Sequence, residues 1–253
     1  MAVPKKFKLL CVACGATEPK MNKEHFWPEW LIERTGTANT TVRFTPEKRI
    51  NPKSLVVPLC VDCNTAFGRE LEAPVSRIFS ELEEGLGLSD NDAELLIRWL
   101  WKFEGLSWCF ANPSGMYTEK YTLRQRVLQP IDEFRSNLTL AVSLAATIDP
   151  KFGDAPMGLD SWTDVSAVFV AGVFSKVAIM VLEREFEEFV PRQFGTYRLA
   201  EAGAPDRSAK LFYPPTSFRN CVEAVNVTKD IGLYLSHAHD LRARNRAARI
   251  LKV

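Results

Sequence analysis

The chain reads as an α+β protein in three parts: a metal-stapled N-terminal module, a helical connector and a mixed α+β C-terminal region. Three observations carry that reading. Two Cys-x-x-Cys pairs, Cys11/Cys14 and Cys60/Cys63, frame the N-terminal part of the 253 residues. From Phe67 to Leu106 apolar residues recur mostly at steps of three and four, the period of an amphipathic helix. Beyond Pro113 the texture changes to runs that read as strands. The implied divisions are 1–85, 86–114 and 115–253, the middle one open to being a shared helix rather than a linker.

Taken in order, residues 4–10 suit a short strand entering the first cysteine turn, and Gly15 suits the tight reversal after a metal-binding knuckle. Pro28 opens a short helix over 28–34, because proline is tolerated in a first helical turn. The β-branched run at 40–44 predicts a strand, 46–52 a basic turn, and 54–59 a second strand running into Cys60. Residues 65–84 predict a helix through Phe67, Leu71, Val75, Ile78, Phe79 and Leu82, which Pro74 should kink or divide. Ser89-Asp90-Asn91-Asp92 supplies N-cap chemistry for a second helix over 92–112. Strands are predicted at 121–128, 138–148, 165–173 and 177–182, loops at 150–158 and 200–206, and a solvated acidic stretch at 183–188. The end, 241–253, reads as a basic helical tail carrying Arg242, Arg244, Arg246 and Arg249.

With 32 basic and 31 acidic residues the net charge is +1, which excludes a globally basic nucleic-acid-binding surface and leaves only local patches. The N-terminus lacks the apolar run of a secretory signal. The longest apolar stretch, 165–182, is broken by Gly172, Ser175 and Lys176, short of the about 18 uninterrupted apolar residues of a membrane span. The expectation is a cytoplasmic protein with no membrane partner. In a reducing compartment paired cysteines favour zinc over disulfides.

Zinc takes four thiolates in a tetrahedron, and two knuckles deliver them from two points of the chain. Cys11, Cys14, Cys60 and Cys63 are therefore read as a structural Zn2+ site, with the folded segment 15–59 pinned at both ends. A fully cysteine-ligated zinc has no open position, so it staples rather than catalyses. Cys109 and Cys221 stand alone in apolar surroundings.

Cys11-x-x-Cys14-Gly15, Glu24-His25-x-x-Pro28-x-Trp30-Leu31, and Cys60-x-x-Cys63-Asn64 followed by Phe67 and Leu71-Glu72 occur in that order. This succession resembles the HNH endonucleases of bacteria and phages, the type with EHxxPxWL followed by CxxCN, over roughly residues 7–84. The resemblance implies a zinc-stapled ββα-metal (HNH) module and metal-dependent hydrolysis of phosphodiester bonds in DNA. It implies His25 as general base, Glu24 and Asn64 as ligands of a catalytic Mg2+ or Mn2+, and Glu72 as an outer or alternative ligand. The chemistry agrees: a neutral imidazole suits activation of water, and a carboxylate with an amide oxygen suits a hard cation that keeps several waters. The segment that orients the histidine loop in such proteins would fall at Ser54, with Asn51 nearby.

Lys20, Lys23, Arg43, Lys48, Arg49, Lys53 and Arg69 are the candidate phosphate contacts in this module, and such contacts would be largely sequence-blind. Trp27 and Trp30 are expected to pack against the zinc module, and His237 and His239 to be surface or capping residues. Residues 115–253 carry no motif; regulation, substrate binding, a defence-system partner and homo-oligomerisation all stay open for them. The resemblance also implies a setting in phages, mobile elements or antiviral defence. The alternative is a zinc-stabilised nucleic-acid-binding or partner-recruiting protein without cleavage.

Overall fold

The computed structural model describes residues 10–17, 21–45, 48–111, 121–148, 157–164 and 167–250. The strand expected at 4–10 lies almost wholly outside them. Two strands, β1 (Met21–His25) and β4 (Val56–Cys60), pair antiparallel, with Glu24 opposite Val57 and His25 opposite Val56. Between them come α1 (Glu29–Arg34), a hairpin of β2 (Val42–Thr45) and β3 (Lys48–Ile50), and a 3-10 turn at Pro52–Ser54. Asn51 caps that turn through its side-chain oxygen, which accepts from the Lys53 amide at 2.9 Å, while its amide nitrogen donates to the Ala38 carbonyl at 3.4 Å.

β4 runs without a loop into a helical stretch made of α2 (Val61–Phe67), a single π turn (Gly68–Glu72) and α3 (Ala73–Glu83). The division expected at Pro74 takes the form of this π turn, with Pro74 in the first turn of α3. Proline lacks an amide, and its ring crowds the carbonyl four residues back. Here the Ala73 amide bonds Gly68, five residues back, so the widened turn gives the ring room and the helix continues.

The 22-residue α4 (Asp90–Ala111) is buried on most sides, as expected of a helix apolar nearly all round. Residues 121–128, expected as a strand, instead hold α5 (Leu123–Leu128). Thr122 and Gln125 form a reciprocal capping box, and Leu123 and Val127, one turn apart, bury the same face. The local capping signal outweighs a composition that reads equally well as strand.

The C-terminal half is a sheet of β5 (Leu138–Thr147), β6 (Met157–Asp164), β7 (Ala167–Phe174), β8 (Val177–Glu183), β9 (Gly195–Arg198) and β10 (Thr216–Asn220). The strand order is β10-β5-β8-β7-β6, and β9 pairs with the first half of β5. All neighbours are antiparallel except β10, which runs parallel to β5. Both faces are covered. Leu140, Val142, Leu144, Ile179 and Val181 join the core built on α3 and α4. Their alternates Ala141, Ala145, Ala178, Met180 and Leu182 pack under α6 (Cys221–Ile250).

The buried core on the α4 side runs continuously from Cys11 to Leu199. Trp99 sits at its crossing point, with ring centroids 5.8 Å from Trp30, 5.3 Å from Phe79 and 4.8 Å from Phe174. The α+β class expected from the sequence is the observed one. β6 begins within the stretch expected to be loop. The acidic stretch is a 3-10 helix (Arg184–Phe189) in which Phe186 is buried and Glu187 accepts from Thr139 and Arg198. β9, β10 and the first turns of α6 are further elements that the residue pattern left unread. Among the described residues no helix is long and apolar enough to cross a membrane.

Candidate metal centre and the buried charges beside it

The four cysteines of the two knuckles converge. Their sulfur atoms all lie within 4.8 Å of one another, and Cys14 Sγ is 3.8 Å from Cys60 Sγ. Zinc–thiolate bonds of about 2.3 Å in a tetrahedron place the sulfurs about 3.8 Å apart, whereas a disulfide needs about 2.05 Å. The donor set and the spacing thus fit a four-cysteine metal such as zinc. Cys63 is buried in the first turn of α2, and its amide bonds Cys60 Sγ at 3.4 Å. The Gly15 amide closes the first knuckle on the Cys11 carbonyl at 2.8 Å, with Gly15 at φ 76°, a conformation natural to glycine. The hydrogen bond with Cys63 lowers the Cys11 thiol to about 4, and that pairing, then burial, pushes Cys63 up, whereas a bound metal would hold all four as thiolates.

A residue outside the knuckles completes this centre. Arg124, on α5, donates from Nη1 to Cys63 Sγ at 3.2 Å, and its amide donates to the Ala13 carbonyl at 2.9 Å. Four thiolates around a divalent ion carry a net double negative charge, which the guanidinium partly offsets. Gly105 lets α5 come close, since a Cβ there would meet Leu123 Cδ1 at 2.4 Å. The lone cysteines, Cys109 and Cys221, are buried; burial pushes the Cys109 thiol up to about 12, which leaves it inert.

Glu24 and His25 end β1, both half-buried, and Asn64 stands half-buried in α2, which packs against β1 and β4. The His25 and Asn64 side chains make no hydrogen bond to another described residue. Glu24 is engaged: its Oε1 accepts from Lys102 Nζ at 3.2 Å. Lys102, on α4, is fully buried and also donates to Glu72 Oε1 at 2.6 Å. Glu72 Oε2 accepts from the indole nitrogens of Trp30 at 2.9 Å and Trp99 at 3.0 Å. Both oxygens of Glu72 are therefore committed, while Glu24 Oε2 accepts nothing from the described residues. The Lys102 ammonium also lies 5.6 Å from the Phe67 ring, which puts the Glu24 carboxylate beside the helix that bears Asn64. Burial works against the charge on Lys102, but Glu72 and Glu24 outweigh it and hold the ammonium above its ordinary range.

Among the described residues the four cysteines are the one close gathering of three or more Cys, His, Asp or Glu ligand atoms. Trp30 packs on Phe79 and Trp99, and Trp27 is buried beside Phe26. Of the candidate phosphate contacts, Lys23 is exposed, Lys53 faces Glu29 at 3.9 Å, and Arg69 faces Glu70 at 2.7 Å. Arg49 donates to the Thr41 hydroxyl at 3.1 Å and carbonyl at 2.6 Å. Lys20 and the side chains of Arg43 and Lys48 lie outside the described residues, as does that of His239, whereas His237 is exposed.

Sequence reasoning missed Lys102, Trp99 and Arg124. Lys102 left one signal: it falls among Leu95, Trp99 and Leu106 on the apolar stripe of its helix, where a lysine needs a buried partner. Compared with family models, curated proteins and solved structures, the chain matches none.

Proposed function

We propose that this protein is a metal-dependent endonuclease of the HNH type that hydrolyses phosphodiester bonds in DNA. The observation that carries the reading is the β1–β4–α2 unit: two antiparallel strands run through a cysteine knuckle straight into a helix. Glu24 and His25 lie on the first strand and Asn64 on that helix. Support also comes from the open Oε2 of Glu24 and from an imidazole that no described residue engages.

In this reading His25 takes the proton of the attacking water, and Glu24 with Asn64 would hold a Mg2+ or Mn2+ ion. When bound, that ion supplies charge stabilisation for the phosphate and leaving oxygen. The cysteine-held metal keeps β4 and the start of α2 in register and takes no part in the reaction. Exposed Lys23, which shares a face of β1 with His25, is available to a phosphate backbone.

The test is plasmid nicking with Mg2+ or Mn2+ by the zinc-loaded protein against His25→Ala. The expected loss is about 10²-fold or more for removal of a general base. Equal nicking by both proteins would strip His25 of its role, and no nicking by the wild type with either ion would overturn the reading.

A further inference from the structure

We propose that Lys102 is a positioning residue that orients Glu24 for a divalent cation, acting through a fixed chain of donors and acceptors. The proposal rests on the reading of Glu24 as a metal ligand and says what holds that ligand in place. The chain starts in the aromatic core, where the indoles of Trp30 and Trp99 pin Glu72 Oε2. Glu72 Oε1 holds the Lys102 ammonium at 2.6 Å, and the ammonium holds Glu24 Oε1 at 3.2 Å. Trp99, Lys102 and Glu72 are buried and Trp30 is half-buried, whereas the Glu24 side chain is 18 % exposed with Oε2 unclaimed by the described residues.

A fully buried ammonium is costly unless paired, so its place needs a reason. Glu72 alone would neutralise it. The second bond, to Glu24, leaves two carboxylates against one ammonium, a group with one negative charge in excess whose only open oxygen is on Glu24. Such a group draws a cation electrostatically and presents one preset oxygen to it. Outer partners of this kind typically govern metal affinity by about 10–100-fold.

The variant that isolates orientation from charge is Lys102→Met with Glu72→Gln, which removes one positive and one negative charge and leaves the net charge beside Glu24 unchanged. Mn2+ binding to the zinc-loaded full chain, read by electron paramagnetic resonance titration, is compared among wild type, Glu24→Gln and the double variant. One Mn2+ site is expected in the wild type, lost in Glu24→Gln and weakened about 10–100-fold in the double variant. Should the double variant not fold, Trp30→Phe keeps an aromatic ring and drops one donor to Glu72; about 2–10-fold weaker Mn2+ binding is then expected. Unchanged affinity in the folded variant, or a wild type whose Mn2+ binding ignores Glu24→Gln, overturns the inference, as does absence of Mn2+ binding. A wild type that binds Mn2+ through Glu24 in this Lys102-dependent way yet leaves plasmid intact upholds the inference and removes the nuclease reading. Cleavage that survives with unchanged Mn2+ affinity in the variant does the reverse.

Discussion

Among the buried charges along α4, two sets about two helical turns apart are finished differently. At its start Asp90 and Glu94 meet Arg135 and Arg207, and Glu94 also faces Arg98 at 3.8 Å, so two carboxylates stand against three guanidiniums. The other Asp90 oxygen accepts from the Ala200 amide at 2.6 Å and the Tyr197 hydroxyl at 3.3 Å, so that carboxylate is closed. Around Lys102 two carboxylates face one ammonium and one oxygen is left open. The first set ties α4 to the segments around the sheet, since Arg135 and Arg207 come from either side of β9. The second faces β1 and α2. A set whose carboxylates are all matched by cations can only hold elements together, whereas one with a carboxylate in excess and an open oxygen has something left to bind.

The strongest test of that contrast is Arg135→Met. It leaves two buried carboxylates short of a partner, and breaking such a pair costs about 3–5 kcal/mol. Chemical denaturation should show the loss, while Mn2+ binding by the folded variant stays as in the wild type. A parallel fall in Mn2+ affinity would mean the two sets work as one.

A smaller effect is expected from Gly105→Ala, whose Cβ would collide with Leu123 and strain the α4–α5 contact. Overpacking of this kind costs about 1–3 kcal/mol, read as a shift in the urea midpoint. Because α5 carries Arg124, zinc should also pass to a chelator faster. Arg124→Ala tests that arm directly. Its expected signature is zinc release about tenfold faster with a near-normal denaturation midpoint, since the guanidinium touches the cluster from outside. An unchanged release rate would reduce the Arg124–Cys63 contact to packing.

The smallest effect concerns acid. Burial works to raise the Asp90 carboxyl, but the Ala200 amide, Arg207 and Arg135 outweigh it and hold it below its ordinary 3.8. Burial is likewise outweighed at Asp92 by Ser89 and Lys210. A carboxyl with a lowered folded value adds stability that is present above 3.8 and lost as pH falls through the folded value. Stability should therefore hold down to about pH 4 and then decline, and Asp90→Asn should flatten part of that decline in urea midpoints taken at pH 5 and pH 3. An unaltered slope would assign the acid sensitivity elsewhere.

Legibility in the sequence followed the range of each interaction. The cysteine cluster was readable because a Cys-x-x-Cys knuckle can bring two thiols to one metal from local geometry alone. β5, β7 and β8 were readable because apolar residues fill both faces of a sheet covered by helices, whereas β6 was not read as a strand. The strand expected at 121–128 failed because six residues leave the two periods hard to separate, and the Thr122–Gln125 box decided for helix. Pro74 was readable as a point of division but not as a π turn, which leaves no simple mark in composition.

The sequence by itself determined the four cysteines that could hold a metal, the α+β class and the residues at the end of β1 that draw attention as a site. Those follow from spacings of a few residues, which the backbone enforces locally. Only the tertiary structure decided what surrounds Glu24. Lys102 lies 78 residues away, and Arg124 lies 61 residues from Cys63. Such partners are chosen by how α4 and α5 pack on α2 and its flanking strands, a consequence of the whole core and of no single stretch of chain.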